Sequence, residues 1–204
     1  MAARALLLRH GQSTWNADGR WQGWADPSLS EAGREQAEAA AALLAGAGET
    51  FPGGVVSSDL ARARETADIV ATAMSLGDVR LDPALRERDV GAWSGLTTAQ
   101  IEARWPGWLD AWRRGELASP PGGEDDRHFV SRTLAATERH AATATGDLLL
   151  VVHGGLIRAV ERALAAEPTR PGNLCGRWLT WDGSALGAGA ACNLSDDQSS
   201  TTRL

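Results

Sequence analysis

Apolar residues occur along this chain in two patterns: short uninterrupted runs, and longer segments with helical spacing. The runs have the length of buried strands and lie at 5–8, 55–57, 79–81 and 148–152, with further strands expected at 174–181 and 185–193. Helices are predicted at 30–44, with Ser30 as N-cap, at 60–74 and at 156–165. Two shorter helical pieces within 97–115 are separated at Pro106. A long helix follows the Pro-Pro-Gly-Gly loop at 120–123 and ends at about residue 143. Strands that alternate with helices predict a largely parallel sheet covered on both faces.

Two of the predicted strands lead into a histidine that glycine follows. Residues 5–8 continue into Arg-His-Gly at 9–11, and residues 148–152 continue into His-Gly-Gly at 153–155. Ligands of open α/β sheets bind beyond the carboxyl ends of the strands, and glycine lets the backbone approach a ligand closely. Two such strand ends indicate chemistry rather than core packing.

His10 is the candidate nucleophile. Neutral imidazole is a competent nucleophile near neutral pH, and the like charge of Arg9 disfavours its protonation. Such a histidine can attack phosphorus and carry a phosphoryl group covalently, which divides one difficult step into two. The alternative is a structural histidine that closes a strand, and the flanking Arg9 and Gly11 favour the catalytic interpretation.

Arg62 follows a predicted strand and lies in the first turn of a predicted helix. Helix N-termini attract anions through unpaired N–H groups and the helix dipole, and a guanidinium there adds a fork for phosphate oxygens. The alternative is a surface arginine paired with Glu65 or Asp59. Arg64 is the better candidate for that ordinary role, so Arg62 is predicted to bind phosphate.

Glu87 and His153 are the remaining candidates for chemistry. A carboxyl group near a bound phosphate can protonate a leaving alkoxide and later activate water, whereas Glu87 between two arginines can equally form a surface ion pair. His153 can donate a hydrogen bond to a phosphoryl oxygen. Two arginines and two imidazoles can offset the charge of a transferring phosphoryl group, so this set requires no metal ion.

Composition narrows the class of protein. The 204 residues fit one domain, and no apolar run approaches the ~18 residues that span a bilayer. Arg4 and Arg9 interrupt the first apolar stretch, which predicts no signal peptide and a cytoplasmic protein. The net charge of −6 argues against general nucleic-acid binding. Cys175 and Cys192 lack metal-ligand spacing and are expected to be free thiols.

Five spaced blocks in order resemble the histidine phosphatase superfamily, the phosphoglycerate mutase-like proteins, over residues 6–193. The blocks are 9–11 with Asn16, 20–23 with 26–33, 57–63 with 66–67, Glu87 with Gly91, Trp93 and Gly95, and 121–124 with 152–155. The resemblance implies an α/β fold, a three-layer α/β/α sandwich with a mostly parallel central sheet. One domain over 1–204 is expected, with 97–124 as a variable cap segment and 195–204 as a loose tail.

The resemblance also implies a role for each matching residue. His10 would be the phosphorylated nucleophile and Glu87 the proton donor. The phosphoryl oxygens would be held by Arg9, Arg62 and His153, and the same pocket would be lined by Asn16, Gln22, Gly23 and the backbone N–H of Gly154. No cofactor or metal is implied. The expected partner is a small phosphorylated metabolite, with no nucleic acid and no membrane, and a homodimer is among the possible assemblies.

Phosphatase and mutase are the two activities to be distinguished. The cofactor-dependent mutases carry a lysine and a tyrosine shortly after the general acid, and all 20 basic residues of this chain are arginine while tyrosine is absent. Segments 20–24 and 91–95 look more like the cofactor-independent phosphatases. Arg113 and Arg114 resemble the pair with which mutases hold the substrate carboxylate; the alternative is solvated arginines at a helix end.

The expected function is therefore a phosphomonoester phosphatase that acts through a phosphohistidine on phosphosugar or phosphoglycerate-like esters. A carboxylate held by Arg113 or Arg114 is an extension of this expectation. One alternative is a 2,3-bisphosphoglycerate-dependent phosphoglycerate mutase. The other is a catalytically silent module that binds a phosphorylated ligand, which would typically lack the nucleophile or the acid.

Overall fold

The computed structural model describes residues 3–169 and 172–195. Its strands are β1 Ala3–Arg9, β2 Val55–Ser57, β3 Val79–Leu81, β4 Leu148–Val152, β5 Cys175–Trp181 and β6 Leu186–Asn193. Its helices are α1 Thr14–Ala17, α2 Glu31–Gly46, α3 Ala61–Met74, α4 Thr98–Arg104, α5 Trp108–Arg113, α6 Asp126–Thr143 and α7 Gly154–Ala163. Short 3₁₀ helices occupy Pro83–Leu85 and Gly91–Trp93.

The strands form one sheet in the order β3-β2-β4-β1-β5-β6. The first four are parallel neighbours, and β5 and β6 extend the sheet antiparallel at one edge. All five residues of β4 are buried, because a central parallel strand is covered on both faces. The prediction of a mostly parallel sheet is confirmed.

Alternate side chains of β1 enter two cores on opposite faces of the sheet. Leu6 and Leu8 belong to a cluster that includes residues of α2 and α3, among them Ala40, Leu44, Ala67 and Val70. Leu7 belongs to a second cluster that includes residues of α6 and α7, among them Phe129, Ala136, Leu156 and Val160. Helices thus cover both faces, which confirms the three-layer sandwich.

The cap segment, residues 97–124, packs around a third apolar cluster. Its buried members are Val90, Trp93, Ile101 and Leu109, and Trp21, Leu96, Trp105 and Trp112 pack against them. Helix α4 begins after Thr97, which forms a capping box with Gln100, and Pro106 lies between α4 and α5. This cluster is separate from the two cores that cover the sheet.

Some element bounds differ from those predicted. Helix α7 begins at Gly154 rather than 156, because extended His153 is its N-cap and both glycines enter the first turn. Helix α1 was not predicted; its four residues are fixed by a capping box of Ser13 and Asn16, without apolar spacing. Ser30 caps α2 as predicted. Apart from Ser195, the expected loose tail lies outside the described residues.

Candidate active site

The sheet brings the two strand-end histidines together. Strands β1 and β4 are parallel neighbours in which Arg9 pairs with Val152, and the N–H of His10 donates to the Val152 carbonyl at 3.1 Å. The next residues, His10 and His153, therefore leave the same edge of the sheet. Their rings meet edge to face, with centroids 5.2 Å apart, and only 3% and 0% of the two residues is exposed.

Hydrogen bonds around His10 assign its tautomer. Nδ1 lies 2.6 Å from the Gly11 carbonyl oxygen, which can only accept, so Nδ1 carries the proton. Nε2 is then the basic nitrogen, and it accepts from Nε of Arg62 at 3.2 Å. Burial lowers the pKa of His10 well below its ordinary value, and the charges of Arg62 and Arg9 lower it further. His10 is thus a neutral imidazole with its lone pair on Nε2.

Arg62 lies in the first turn of α3, and three acceptors from other segments hold its guanidinium group. Besides His10, it donates to the carbonyls of Ala25 and Gly23, each at 2.9 Å, and it is 1% exposed. Burial lowers its pKa to about 10, which leaves the guanidinium charged at neutral pH. The alternative surface pairs are made by other residues: Asp59 pairs with Arg86 and Glu65 with Arg34.

Glu87 lies against the N-terminus of α7. Its Oε2 accepts from the N–H of Gly155 at 2.9 Å, and Oε1 accepts from the N–H of Arg88 at 2.9 Å. A Cβ on residue 155 would overlap this carboxylate, so glycine is required for the contact. Glu87 therefore faces the helix end that begins after His153, and it forms none of the ion pairs found among the described residues.

His153 and Arg9 complete the charged part of the site. Both ring nitrogens of His153 are buried and have no hydrogen-bond partner among the residues described, and burial followed by the charge of Arg62 lowers its pKa well below the ordinary value. Arg9 is half-buried at the end of β1, and burial is the largest influence lowering its pKa. Unpaired buried nitrogens beside His10 mark a polar site rather than core packing.

The side chains of Asn16 and Gln22 both accept hydrogen bonds from Ser13. Asn16 Oδ1 accepts from the Ser13 N–H at 3.2 Å, and Gln22 Oε1 accepts from the Ser13 hydroxyl at 2.8 Å. Gly23 has a φ of +52°, and its carbonyl is one of the acceptors that hold Arg62. Ser13 thus links Asn16 to Gln22, and Gly23 is linked to Arg62.

Asn173 is a residue that sequence reasoning missed. Its Nδ2 donates to the His10 carbonyl at 2.9 Å and lies 3.4 Å from Asn16 Oδ1. It precedes β5, in a stretch of the sequence without motif or periodicity. Its chain neighbourhood is anchored by the buried ion pair of Arg177 with Glu161, at 2.8 Å. The amide of Asn173 thus links the backbone of His10 to Asn16.

These residues surround a cleft of about 1050 Å³. Arg9, His10, Glu87, Arg62 and Gly154 line it, as do Asn16, Gln22 and Gly23, while the fully buried His153 adjoins the lining through its ring contact with His10. Eight arginines contribute to the wall against four carboxylates; the arginines are Arg9, Arg20, Arg62, Arg88, Arg113, Arg127, Arg158 and Arg162. The cleft therefore favours an anionic ligand.

The structure separates the two arginines predicted to hold a carboxylate. Arg113 lines the cleft, and its Nη1 lies 3.4 Å from Asp110. Arg114 does not line the cleft and pairs with Glu116 at 2.7 Å. Trp21 and Trp112 supply aromatic surface on the same side, with ring centroids 5.9 Å apart.

Residues 3–169 and 172–195 contain neither a metal-ligand cluster nor a membrane-spanning helix. No group of three or more His, Cys, Asp or Glu side chains is arranged to hold a metal ion there. None of the helices in these ranges combines the length and apolar character needed to cross a bilayer. The arrangement can bind a phosphoryl group between cations and present a neutral imidazole to it.

Comparison with known proteins agrees with this geometry. The family model of the histidine phosphatase superfamily (branch 1) matches residues 5–180. The chain belongs to the histidine phosphatase superfamily. It is 42% identical over 176 residues to a protein named glucosyl-3-phosphoglycerate phosphatase from Mycobacterium tuberculosis, covering 82% of this chain and 77% of that one. The resemblance inferred from the motifs is thus confirmed.

Two further relatives bear on fold and activity. A solved structure of mycobacterial glucosyl-3-phosphoglycerate phosphatase in complex with VO3 superposes with a TM-score of 0.79 at 37% identity, covering 92% of this chain and 96% of that one. A 2,3-bisphosphoglycerate-dependent phosphoglycerate mutase from Azorhizobium caulinodans is 39% identical over 165 residues, which cover 78% of this chain and 80% of that one. Relatives of both activities therefore resemble this chain.

Proposed function

We propose that this protein is a metal-independent phosphatase that hydrolyses small phosphomonoesters through a phosphohistidine at His10. The observation that carries the proposal is the hydrogen bonding of His10, in which Gly11 holds the Nδ1 proton and Nε2 points its lone pair at the guanidinium of Arg62. A phosphoryl group that binds Arg62 at this point meets the nucleophilic nitrogen directly.

The first step transfers the phosphoryl group to the enzyme. Nε2 of His10 attacks phosphorus, a P–N bond forms, and the ester P–O bond breaks. Glu87, protonated in the Michaelis complex, gives its proton to the departing alkoxide, so the product is a neutral alcohol. Arg9, Arg62 and His153 stabilise the charge on the phosphoryl oxygens.

The second step returns the enzyme to its starting state. Glu87, now a carboxylate, takes a proton from water as the water oxygen attacks phosphorus and the P–N bond breaks. Inorganic phosphate leaves, Glu87 is protonated again, and His10 recovers its neutral form with the proton on Nδ1. Besides the substrate and this one water molecule, only groups of the chain take part in this proton balance.

The substrate class proposed is a phosphosugar or a phosphoglycerate-like ester. Relatives named glucosyl-3-phosphoglycerate phosphatase support a substrate that combines a sugar with a phosphoglycerate group. The tryptophans Trp21 and Trp112 on the cleft wall suit the apolar face of a sugar ring, and the arginine-rich wall suits an acid. The absence of lysine and tyrosine from the sequence favours the phosphatase over the mutase. The mutase is the second candidate, because the relative from Azorhizobium caulinodans is named as a mutase.

Phosphate release from a panel of esters tests this function. The panel contains 3-phosphoglycerate, glucosyl-3-phosphoglycerate, sugar phosphates and p-nitrophenyl phosphate, each with and without 2,3-bisphosphoglycerate, and 2-phosphoglycerate is followed in parallel. Hydrolysis without the bisphosphate is expected. Isomerisation that requires it would identify a mutase, and binding without turnover would identify the silent module.

The remaining expectations concern the setting of the enzyme. We expect it to act in the cytoplasm on a small phosphorylated metabolite, without nucleic acid or membrane as partner. A homodimer stays a prediction, which light scattering of the purified protein at several concentrations would test.

A further inference from the structure

Helix α7 carries an arginine that no motif singled out. Arg158 lies four residues after Gly154, which is about one helical turn, so both residues occupy the same face of α7. Arg158 is exposed and lines the cleft. A Cβ on Gly154 would lie 3.7 Å from Nη1 of Arg158 and 3.5 Å from Nε of Arg9. Two guanidinium groups therefore converge on the first turn of α7.

The charges of Arg158 and Arg9 repel each other. Burial is the largest influence that lowers the pKa of Arg9, Glu87 raises this pKa, and the charge of Arg158 lowers it further. Within the described residues, Arg158 makes no hydrogen bond and no ion pair. An anion bound between the two guanidinium groups would relieve their repulsion, and Arg158 lies on the solvent side of that pair.

Other arginines that line the cleft differ from Arg158 either in having an acidic partner or in their position. Arg162, one turn further along α7, pairs with Asp126 at 3.2 Å, Arg20 lies 3.6 Å from Asp18, and Arg113 lies 3.4 Å from Asp110. Arg127 has no acidic partner among the described residues, yet it belongs to α6 and is not placed beside Arg9. Arg158 is thus the cation that adjoins the phosphoryl end of the cleft and lacks an acidic partner within the described residues.

We propose that Arg158 binds a second anionic group of the substrate, a carboxylate close to the phosphoester, and so determines specificity for phosphorylated acids. The inference rests on the proposed function and names its substrate class. Four residues of α7 separate Arg158 from Gly154 by about 6 Å along the axis, a span that a phosphoester and a carboxylate on neighbouring carbons can bridge. The guanidinium fork matches both oxygens of a carboxylate.

Arg158 places the carboxylate site on α7, away from the cap segment. Arg113, the residue favoured by the motif, has a side chain that is 53% exposed and shares its charge with Asp110. Arg158 instead projects from a helix whose first turn also supplies the N–H that holds Glu87. Its position relative to the reacting phosphate is therefore set by the same element as the general acid.

Two glycerol-based phosphomonoesters, one with a carboxylate and one without, test the assignment. 3-Phosphoglycerate and sn-glycerol 3-phosphate are compared in wild type, Arg158→Ala and Arg158→Lys, with Arg104→Ala as the matched control, an exposed helical arginine outside the cleft. Arg158→Ala is expected to raise KM for 3-phosphoglycerate by about 10- to 100-fold, the worth of a charge-assisted hydrogen bond, with kcat nearly constant. KM for sn-glycerol 3-phosphate is expected to change less than about 3-fold, and lysine to restore part of the loss.

The outcomes separate this inference from the proposed function. An equal loss for both esters, or no loss for either, would overturn the role of Arg158. Calorimetric binding of both esters to His10→Ala, with and without Arg158→Ala, gives the same comparison without turnover. If wild type hydrolyses no ester yet binding still prefers the acid through Arg158, the proposed function fails and this inference stands.

Discussion

The two ends of the cleft are built in different ways. At the inner end, Arg62 is 1% exposed and held by three acceptors, and His10 is fixed through both ring nitrogens. At the outer end, the side chain of Arg113 is 53% exposed and has a single contact of 3.4 Å. The inner groups come from the ends of β1 and β4 and the starts of α3 and α7, whereas the outer wall comes partly from the cap segment.

This difference assigns different tasks to the two ends. Buried, hydrogen-bonded charges cannot adjust without cost, so the inner end is suited to one fixed group, the phosphoryl group. The outer end has solvated charges and a tryptophan cluster packed independently of the sheet, so it can change without disturbing the sheet cores. We therefore assign catalysis to the residues at the edge of the sheet and selection of the alcohol part of the substrate to the outer wall.

The largest effect is expected from His10→Ala. Removal of the nucleophile should reduce phosphate release by several orders of magnitude, because the covalent step has no substitute. Enzyme incubated with a ³²P-labelled ester and quenched in alkaline detergent should carry an alkali-stable, acid-labile label in wild type and none in the variant. His128→Ala is the matched control, since His128 is exposed on α6 and does not line the cleft. A labelled, active His10→Ala enzyme would disprove the mechanism.

Arg62→Lys sharpens the claim that the inner end is fixed. Lysine keeps the charge but cannot make the three directed contacts, so kcat/KM should fall about 10²- to 10³-fold for every ester in the panel. Arg64→Lys, an exposed position in the same helix, is the control and should change little. Thermal unfolding of both variants separates a loss of fold from a loss of catalysis. A loss confined to one ester would assign Arg62 to the alcohol part.

Gly155→Ala tests whether α7 positions the general acid. The added Cβ overlaps the carboxylate of Glu87 and should displace it. We expect kcat to fall about 10- to 100-fold for alkyl esters and less for p-nitrophenyl phosphate, whose leaving group needs little protonation. Glu87→Gln should give the same dependence on leaving group.

Gly46→Ala is the matched control for that substitution, because an added Cβ there meets no atom within 4 Å. Equal losses for good and poor leaving groups in Gly155→Ala and Glu87→Gln would contradict the role of Glu87 as a general acid.

The buried histidines should make stability depend on pH. The pKa values of His10 and His153 are lowered in the folded state, so the unfolded chain, with a histidine pKa of about 6.5, binds more protons. Their contribution is therefore complete above about pH 6.5 and decreases as the pH falls, by at most about 1.4 kcal/mol per pH unit for each histidine.

Urea unfolding between about pH 7.5 and 5.5 measures this dependence. His153→Asn should show a smaller slope of unfolding free energy against pH than wild type, since one of the two groups is removed. An unchanged slope would mean that His153 is not buried as a neutral imidazole.

The inner end was more predictable from the sequence than the outer end, for a physical reason. Apolar runs that end in His10 and His153 become neighbouring parallel strands, and parallel strands deliver their carboxyl ends to one edge. The contact of Glu87 with Gly155 and that of Asn173 with His10 join segments 68 and 163 residues apart. No local pattern encodes such contacts, so they appear only with the fold.

At the outer end, the position of Arg158 depends on where α7 begins. The predicted helix starts at residue 156, and only the observed start at Gly154 places Arg158 one turn after Gly154 on the same face. The resemblance to a mutase motif favours Arg113. That motif carries no information on the neighbouring Asp110, which partly offsets the charge of Arg113. Family motifs therefore indicate the candidates for chemistry, whereas side-chain charge pairing is the basis on which we propose Arg158 rather than Arg113 for specificity.

The smallest effect is expected at the cap segment, from Arg113→Ala and Arg114→Ala. Arg113 lines the cleft with its charge partly met by Asp110, and Arg114 lies off the cleft beside Glu116. Exposed paired charges contribute little, so Arg113→Ala should raise KM for 3-phosphoglycerate by about 2- to 3-fold and leave sn-glycerol 3-phosphate unchanged. Arg114→Ala should change neither. A larger acid-selective loss in Arg113→Ala than in Arg158→Ala would return the carboxylate to the cap segment, and specificity would then be set apart from the helix that positions the general acid.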